Sequence, residues 1–297
     1  MEQLRSTKTS PRDAWSSIAK AYSRSELTKE EDKIIALAGI AEATQEKLRD
    51  EYVVGLWKRN LGTELLWSVG NMAGLRPSPC VAPTWSWLST NGQAYLKTTA
   101  EMKDFQKSLI TVNNVSVDLV DPTYPTGNIH PGATLKLRGR LKPAKWNLIR
   151  RYGPTDFRKY QVTCDGLKDT LGGFDIHEDL WTEVDVSPGL ELASLDIFLL
   201  PVAIMTVASR RYGSVQGLVL TPKMLEREIY ERVACFRSRS EKVSYLFLER
   251  PSENGGPLLS QEPSDQRLLD PDGLVEGFPF DGGSEWHRIP EKDIIVV

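Results

Sequence analysis

The sequence predicts an α+β fold, in which an N-terminal helical segment precedes a mainly antiparallel β sandwich or barrel. Apolar residues recur at helical spacing up to about residue 70, whereas a two-residue alternation dominates from about residue 110 onward. Proline and glycine are concentrated in residues 74–83, between the two patterns. Many short strands separated by polar turns are typical of a sandwich or a barrel.

The composition is that of an ordinary globular protein with one or two hydrophobic cores. The chain has 297 residues, of which 40% are hydrophobic and 26% are charged. Its net charge of −3 argues against a nucleic-acid partner, and no stretch approaches the ~18–20 apolar residues of a membrane span. The polar N-terminus lacks the apolar core of a signal peptide. Three widely spaced cysteines, Cys80, Cys164 and Cys235, fit a reducing compartment, so we expect a cytoplasmic protein without disulfides.

The first predicted helix spans residues 11–22. Ser10 is a suitable N-cap, Pro11 suits the first helical position, and the Asp13 carboxylate can reach back to the cap amide. One helical face then carries Trp15, Ile18, Ala19 and Tyr22.

Two further helical patterns follow. Thr28 and Glu31 form a capping-box sequence, which predicts a helix over residues 29–43. The apolar face of this helix is made of Ile34, Ile35, Leu37, Ala38 and Ala41. A third helical face is predicted from Val53, Leu56, Trp57, Leu61 and Leu65.

The remainder of the chain is predicted to be β-rich. The expected strands are residues 110–120, 134–141, 160–164, 182–186, 196–205, 215–221, 230–237, 243–248 and 289–297. We therefore expect a helical segment at 1–90, a β-rich domain at 91–249, a flexible loop or linker at 250–285, and a terminal strand within 286–297.

Several ordered motifs occupy the first 90 residues. Residues 22–28 read Tyr-Ser-Arg-Ser-Glu-Leu-Thr, and residues 32–40 read Asp-Lys-Ile-Ile-Ala-Leu-Ala-Gly-Ile. Residues 52–57 read Tyr-Val-Val-Gly-Leu-Trp, and residues 82–87 read Ala-Pro-Thr-Trp-Ser-Trp. Together they resemble the second half of the fungal heterokaryon-incompatibility (HET) domain. The residues that carry this resemblance are Trp15, Tyr22, Arg24, Asp32, Gly39, Gly55, Trp57, Trp67, Pro83, Trp85 and Trp87.

The resemblance implies a role in nonself recognition and programmed cell death in filamentous fungi. The HET domain has been likened to Toll/interleukin-receptor-like signalling domains, whose activity needs a whole core. Its first half would be expected before Trp15, where the sequence has fourteen residues. We therefore expect a truncated or divergent member with a non-enzymatic recognition or regulatory role. The expected partner is a full-length HET-family protein or a second copy, bound through an apolar patch of Ile18, Tyr22, Ile35 and Leu56.

Two motifs have both a functional and a structural interpretation. Trp85 and Trp87 would form an aromatic platform for a sugar or a base, or they would be core anchors between the helical and β parts; the second interpretation is favoured. Asp32 would be a catalytic carboxylate, or a first-turn acid that pairs with Arg24, and again the second is favoured. Lys33 stands where the family usually has Arg, which removes bidentate hydrogen bonding.

The sequence predicts no metal, no cofactor and no catalytic residue. His130, His177 and His287 are scattered without metal-ligand spacing, and Cys80 would be a nucleophile only with a spatially close histidine. A basic concentration that includes Arg232 is interpreted as solvated surface. The alternative is a carbohydrate-active or carbohydrate-binding β protein that uses paired carboxylates. Its candidate acids are Asp175, Glu178, Asp179, Glu183 and Asp185.

Overall fold

The computed structural model describes residues 9–25, 27, 29–70, 80–152, 157–164, 174–178, 194–206, 213–238, 247 and 289–297. A short helical region precedes a mostly antiparallel sheet, so the predicted α+β class is confirmed. The sandwich or barrel form of that sheet stays a prediction.

The first helix, α1, is Pro11–Tyr22, as predicted. The Ser10 side chain accepts a hydrogen bond from the Asp13 amide at 3.1 Å, which satisfies one free donor of the first turn. The Asp13 carboxylate accepts from the Ser10 hydroxyl at 2.7 Å and from the Thr99 amide at 2.7 Å, instead of the cap amide. The Thr99 amide chiefly lowers the pKa of Asp13, and it ties α1 to helix α4, Thr99–Lys103.

The helix expected over residues 29–43 is replaced in its first half by two 3₁₀ turns, Glu30–Lys33 and Ile35–Leu37. Helix α2, Ala38–Leu48, then follows without a break. Ile34 and Leu37 are both buried, and their spacing of three residues matches the three residues per turn of a 3₁₀ helix. Thr28, the expected cap, lies outside the described residues.

The third predicted helix was wrong for residues 53–57. Strands β1, Tyr52–Val53, and β2, Leu56–Trp57, form a hairpin. Its turn residues Val54 and Gly55 both have positive φ, 44° and 88°, as a two-residue turn of the type favoured in hairpins requires. All these residues are buried, so their apolar spacing carried no periodicity that distinguishes a helix from a strand. A 3₁₀ turn, Lys58–Asn60, and the short helix α3, Leu61–Glu64, complete the segment.

A short strand pair joins β3, Ser68–Val69, to β4, Ala94–Tyr95. Ten further strands of the described chain form one sheet: β5 Phe105–Ser108, β6 Thr111–Ser116, β7 Thr134–Gly139, β8 Lys142–Tyr152, β9 Phe157–Thr163, β10 Phe174–Glu178, β11 Ser194–Met205, β12 Ser214–Met224, β13 Ile229–Ser238 and β14 Lys292–Val296. Their order is β6-β7-β14-β13-β12-β11-β8-β9, with β5 paired to β11 and β10 paired to β13. The pairings are antiparallel, apart from the parallel pair of β13 with β14.

Three sheet strands, β5, β8 and β10, were missed from the sequence. The missed β8 contains Pro143 and several basic residues, which weaken the alternation that identifies a strand. The strand expected over 182–186 lies outside the described residues, as do the loop at 250–285 and most of the strand expected over 243–248.

The central strand β12 is buried on both faces over residues 214–220. On β12, Leu218 and Leu220 belong to the core that also contains the helical region, whereas Val215 and Val219 belong to a second cluster with Phe247. This alternation follows from the period of two along a strand. The helical region and one face of the sheet therefore share a single hydrophobic core.

Candidate functional site

Two of the signature tryptophans meet at the backbone carbonyl of Gly55. This oxygen accepts a hydrogen bond from Nε1 of Trp15 at 3.2 Å and another from Nε1 of Trp87 at 2.8 Å. Trp57 packs edge-on against Trp15, with ring centres 5.2 Å apart. The indoles come from helix α1, the hairpin and residues 85–87, so this cluster fixes three separate parts of the helical region.

Gly55 is suited to this position by its missing side chain. Its φ of +88° lies in the region that favours glycine, and an added Cβ would lie 2.7 Å from Nε1 of Trp87. Ser86 adds a second link between these two segments, because its hydroxyl donates to the Val54 carbonyl at 2.6 Å. The turn and residues 85–87 are thereby held in one register.

Trp85 and Trp87 are both 0% exposed, which confirms that they are core residues. Nε1 of Trp67 donates to the Trp85 carbonyl at 2.9 Å. Since neither Trp85 nor Trp87 presents an open ring face, an aromatic platform for a sugar is not formed there. Within the described ranges, Nε1 of Trp57 and Nε1 of Trp85 have no hydrogen-bond partner.

The pair predicted between Arg24 and Asp32 is wrong. Both side chains are exposed, and no ion pair joins them. The neighbouring Lys33 is buried, and its Nζ donates to the Thr90 carbonyl at 2.5 Å and to Oδ1 of Asn91 at 2.8 Å. Burial lowers the pKa of Lys33 from 10.5 to about 8, because desolvation disfavours the charged amine.

A second buried charge, Glu64, was not recognised in the sequence. Its carboxylate accepts a hydrogen bond from Nη1 of Arg12 on helix α1. Burial raises the pKa of Glu64 from 4.5 to about 7, and the neighbouring Arg12 opposes that rise. The sequence did carry a signal for this burial: Glu64 is an acid in the mainly apolar segment 61–67, and an acid that is buried needs a partner.

Arg232 on β13 is also buried, which corrects its interpretation as solvated surface. Its guanidinium donates to the carbonyl oxygens of Leu65 and Trp67. Its backbone amide donates to the Thr84 hydroxyl at 3.0 Å. Arg232 thus joins the sheet to the helical region, because its charged side chain and its backbone amide each donate hydrogen bonds across that boundary.

A groove of about 700 Å³ contains the histidine that the sequence could not place beside Cys80. Cys80 and His130 both line it, together with Glu31 and Glu231. The Cys80 thiol, however, donates to the Ala82 carbonyl at 3.0 Å. No hydrogen bond joins Cys80 to His130 among the contacts of the described residues, so the geometry provides no base for that thiol.

The remaining signature residues have no reactive partner in the region described. The Pro83 carbonyl accepts from the Ser86 amide at 2.9 Å. The Tyr22 hydroxyl donates to the Lys33 carbonyl at 2.8 Å. Gly39 lies on the exposed face of α2, with nothing within 4 Å of the position a Cβ would take.

The expected apolar patch was wrong in most of its members. Leu56 is 0% exposed, and Ile18 and Tyr22 are half-buried against the core. Only Ile35 is exposed, at 44%. The exposed large apolar residues of the described chain are instead spread over several elements, and Ile35 and Ile40 are two of them.

Comparisons of the chain with protein-family models, with curated proteins and with solved structures find no match. In the ranges that the structure describes, no helix is long and apolar enough to cross a membrane. Nor do the described side chains include a group of three His, Cys, Asp or Glu placed to hold a metal ion. The resemblance to the HET family therefore rests on the sequence motifs alone. His177 lies on β10, but the position of its side chain is not among those described, and His287 lies outside the described residues.

Proposed function

We propose that the chain is a non-enzymatic recognition or regulatory protein of the HET type, acting in fungal nonself recognition by binding another protein. The observation that carries the proposal is the place of the signature tryptophans. They are all buried and support the fold instead of lining a cleft, and two of them bond the Gly55 carbonyl. Residues of this kind preserve a scaffold, and the function then depends on the surface that the scaffold presents.

The surface that favours protein binding is the outer side of α2. Ile40 and Gly39 are exposed on α2, and Ile35 is exposed on the 3₁₀ turn that precedes it; Ile35 and Ile40 are each 44% exposed. Single exposed apolar residues are normal, but several on one continuous face are typical of an interaction surface. Recognition of another polypeptide is therefore the favoured activity of this face.

Expression in a fungal host tests the proposal, with the chain produced alone and together with a full-length HET-family protein. The chain alone is expected to leave the host viable, and its co-expression is expected to change the killing caused by the full-length protein. Ile40→Glu is expected to remove that change, since it places a charge on the binding face. Leu225→Glu is the matched control, because Leu225 is exposed on a turn of the sheet.

Cell death caused by the chain alone, or NAD hydrolysis by the purified chain, would overturn the non-enzymatic role. Unchanged killing by the full-length protein when the chain is present would overturn the recognition role. An equal effect of the two Glu variants would remove the assignment of binding to α2.

A further inference from the structure

A groove of about 700 Å³ lies between the helical region and the sheet, apart from the tryptophan cluster. Two chain segments border this groove, residues 80–84 and residues 128–133, and β13 contributes Glu231 and Val233. Its volume lies within the range of about 300–1,000 Å³ that is typical of ligand pockets. None of the described residues that line it belongs to α2, so the groove is separate from the surface considered above.

The lining of the groove is mainly apolar. Val81 and Ile129 are half-buried, and Val120, which also lines it, is 55% exposed. A bound molecule would remove this surface from water, which favours binding in proportion to the apolar area covered. The other apolar residues of the lining include Ile34, Ala82, Ala133 and Val233.

The 80–84 segment is held against the sheet but keeps free backbone groups. The Thr84 amide donates to the Val297 carbonyl at 3.0 Å, and the Thr84 hydroxyl accepts from the Arg232 amide at 3.0 Å. Three residues earlier, the backbone amide and carbonyl of Val81 have no hydrogen-bond partner among the described residues. This segment therefore offers a backbone donor and an acceptor close to the point where it is fixed.

The 128–133 segment has the same property. Leu119 and Ile129 form an antiparallel bridge. The amides of His130 and Val120 donate hydrogen bonds on either side of this bridge, at 2.7 Å and 2.9 Å. A residue between two such bonds directs its own amide and carbonyl away from the paired chain. Within the described ranges, those two groups of Ile129 have no hydrogen-bond partner.

We propose that the groove binds an extended segment of a partner polypeptide, which pairs its backbone with Val81 on one side and with Ile129 on the other. In this mode of recognition the backbone hydrogen bonds supply affinity, and alternate side chains enter the apolar lining and supply specificity. A compact apolar ligand would cover the lining but leave these backbone groups without a partner. The free groups therefore favour a polypeptide, since an extended chain repeats donors and acceptors at strand spacing.

The charges around the groove indicate that the partner segment carries a basic residue. Glu231 is paired with Lys223 at 2.8 Å, so these two charges offset each other. Glu31 also lines the groove, is exposed, and has no ion-pair partner in the described part of the chain. A lysine or arginine of the bound segment would complement Glu31. The expected ligand is thus an extended peptide in which aliphatic residues alternate with lysine or arginine.

Titration of the purified full chain with fluorescent hexapeptides tests the proposal. The peptides alternate valine, leucine or isoleucine with lysine, and both of their ends are blocked. At least one is expected to bind saturably, and N-methylation of its two central amides is expected to weaken it about fivefold or more, as the loss of one hydrogen bond would. A matched peptide with glutamate in place of lysine is expected to bind less tightly, because Glu31 repels it.

Variants of the chain locate the binding. Glu31→Lys is expected to weaken the lysine peptide and to strengthen the glutamate peptide, whereas Glu42→Lys, which alters an exposed acid on α2, should change both far less. Val120→Lys is expected to weaken the lysine peptide, and Leu225→Lys is its control, since both side chains are exposed and apolar. Circular dichroism of each variant establishes that the fold is intact.

Hydrogen exchange measured by NMR gives a direct readout of the backbone pairing. In the chain labelled at valine and isoleucine, the bound peptide is expected to slow exchange of the Val81 and Ile129 amides. Absence of binding by every peptide would overturn the proposal, as would binding that N-methylation leaves unchanged or that does not slow these two amides.

Equal binding of the lysine and glutamate peptides would overturn the basic character of the partner. The proposal does not rest on the HET-type role and is measured on the purified protein alone. Its failure would therefore leave recognition through α2 in place, and a negative result in the fungal host would leave the peptide groove in place.

Discussion

The guanidinium of Arg232 lies 3.5 Å from the centre of the Trp67 ring and stacks on its face. Its nitrogens also donate to the carbonyl oxygens of Leu65 and Trp67. A planar cation with several donors can bond two carbonyls and cover an aromatic face at once, which a lysine cannot. This one side chain therefore connects β13 to the segment between α3 and β3.

Arg232→Lys is expected to lower the free energy of unfolding by about 1.5–3 kcal/mol, the usual contribution of a hydrogen bond to a charged group. The ammonium keeps the charge but loses the stacking and one of the two carbonyl bonds. Urea unfolding at neutral pH measures the change. Arg227→Lys is the matched control, since Arg227 is exposed on a turn, and it is expected to have little effect. Equal stability of the two variants would contradict this role of Arg232.

Gly55→Ala is expected to be more destabilising than Gly132→Ala. Both glycines have positive φ, so both substitutions meet backbone strain of about 1–3 kcal/mol. A Cβ at Gly132 meets nothing within 4 Å, whereas a Cβ at Gly55 would lie 2.7 Å from Nε1 of Trp87. The added loss of the indole hydrogen bonds amounts to about 1 kcal/mol or more.

Thermal and urea unfolding of both glycine variants measure this difference. Near-ultraviolet circular dichroism should change in Gly55→Ala and stay the same in Gly132→Ala, because only the first variant displaces an indole. Equal losses of stability would mean that the backbone strain alone decides the outcome, and that the contact with Trp87 contributes nothing.

The buried Glu64 is expected to make stability depend on pH. Its pKa rises from 4.5 in the unfolded chain to about 7 in the folded protein, so the folded state binds the extra proton between these values. The stabilisation of the fold by this proton is fully present below pH 4.5 and is lost as the pH rises through about 7. Glu64→Gln removes it, since the amide does not titrate.

Urea unfolding across that pH range compares the wild type with Glu64→Gln. The stability of the wild type relative to the variant should fall with rising pH, by on the order of 3 kcal/mol in total. Glu51→Gln is the control, because Glu51 is exposed beside Lys58. A difference that stays constant with pH would mean that the bond from Arg12 fully offsets the burial of Glu64.

Local signals explain which elements the sequence could predict. Helix α1 has its cap, its first-position proline and its apolar face within residues 10–22, and its predicted bounds were right. The hairpin over residues 52–57 was predicted as a helix, because continuous burial conceals the period on which such predictions depend. The positive φ of Val54, which a β-branched residue rarely adopts, has no signal in the sequence.

The burial of Arg232 and Lys33 could not be predicted, since the partners of both residues are distant in the sequence. Arg232 bonds residues 65 and 67, and Lys33 bonds residues 90 and 91. Only the folded chain brings these groups together. A basic residue in a strand is usually solvated, so the sequence alone favoured an exposed position for Arg232. The tryptophans were predicted correctly because their large apolar area favours burial in almost any fold.

Lys33 gives the opposite dependence on pH, at alkaline values. Its pKa falls from 10.5 in the unfolded chain to about 8 in the folded protein, so the unfolded chain binds the extra proton between these values. Stability from this group is therefore present above pH 10.5 and is lost as the pH falls through about 8. The stability of the wild type relative to Lys33→Met should rise with pH across this window, by on the order of 3 kcal/mol.

Tyrosine ionisation affects both proteins and cancels in the difference. Lys58→Met, which alters an exposed lysine, should show a flat difference. A flat difference for Lys33→Met as well would mean that the bonds to Thr90 and Asn91 keep its amine charged in the folded protein.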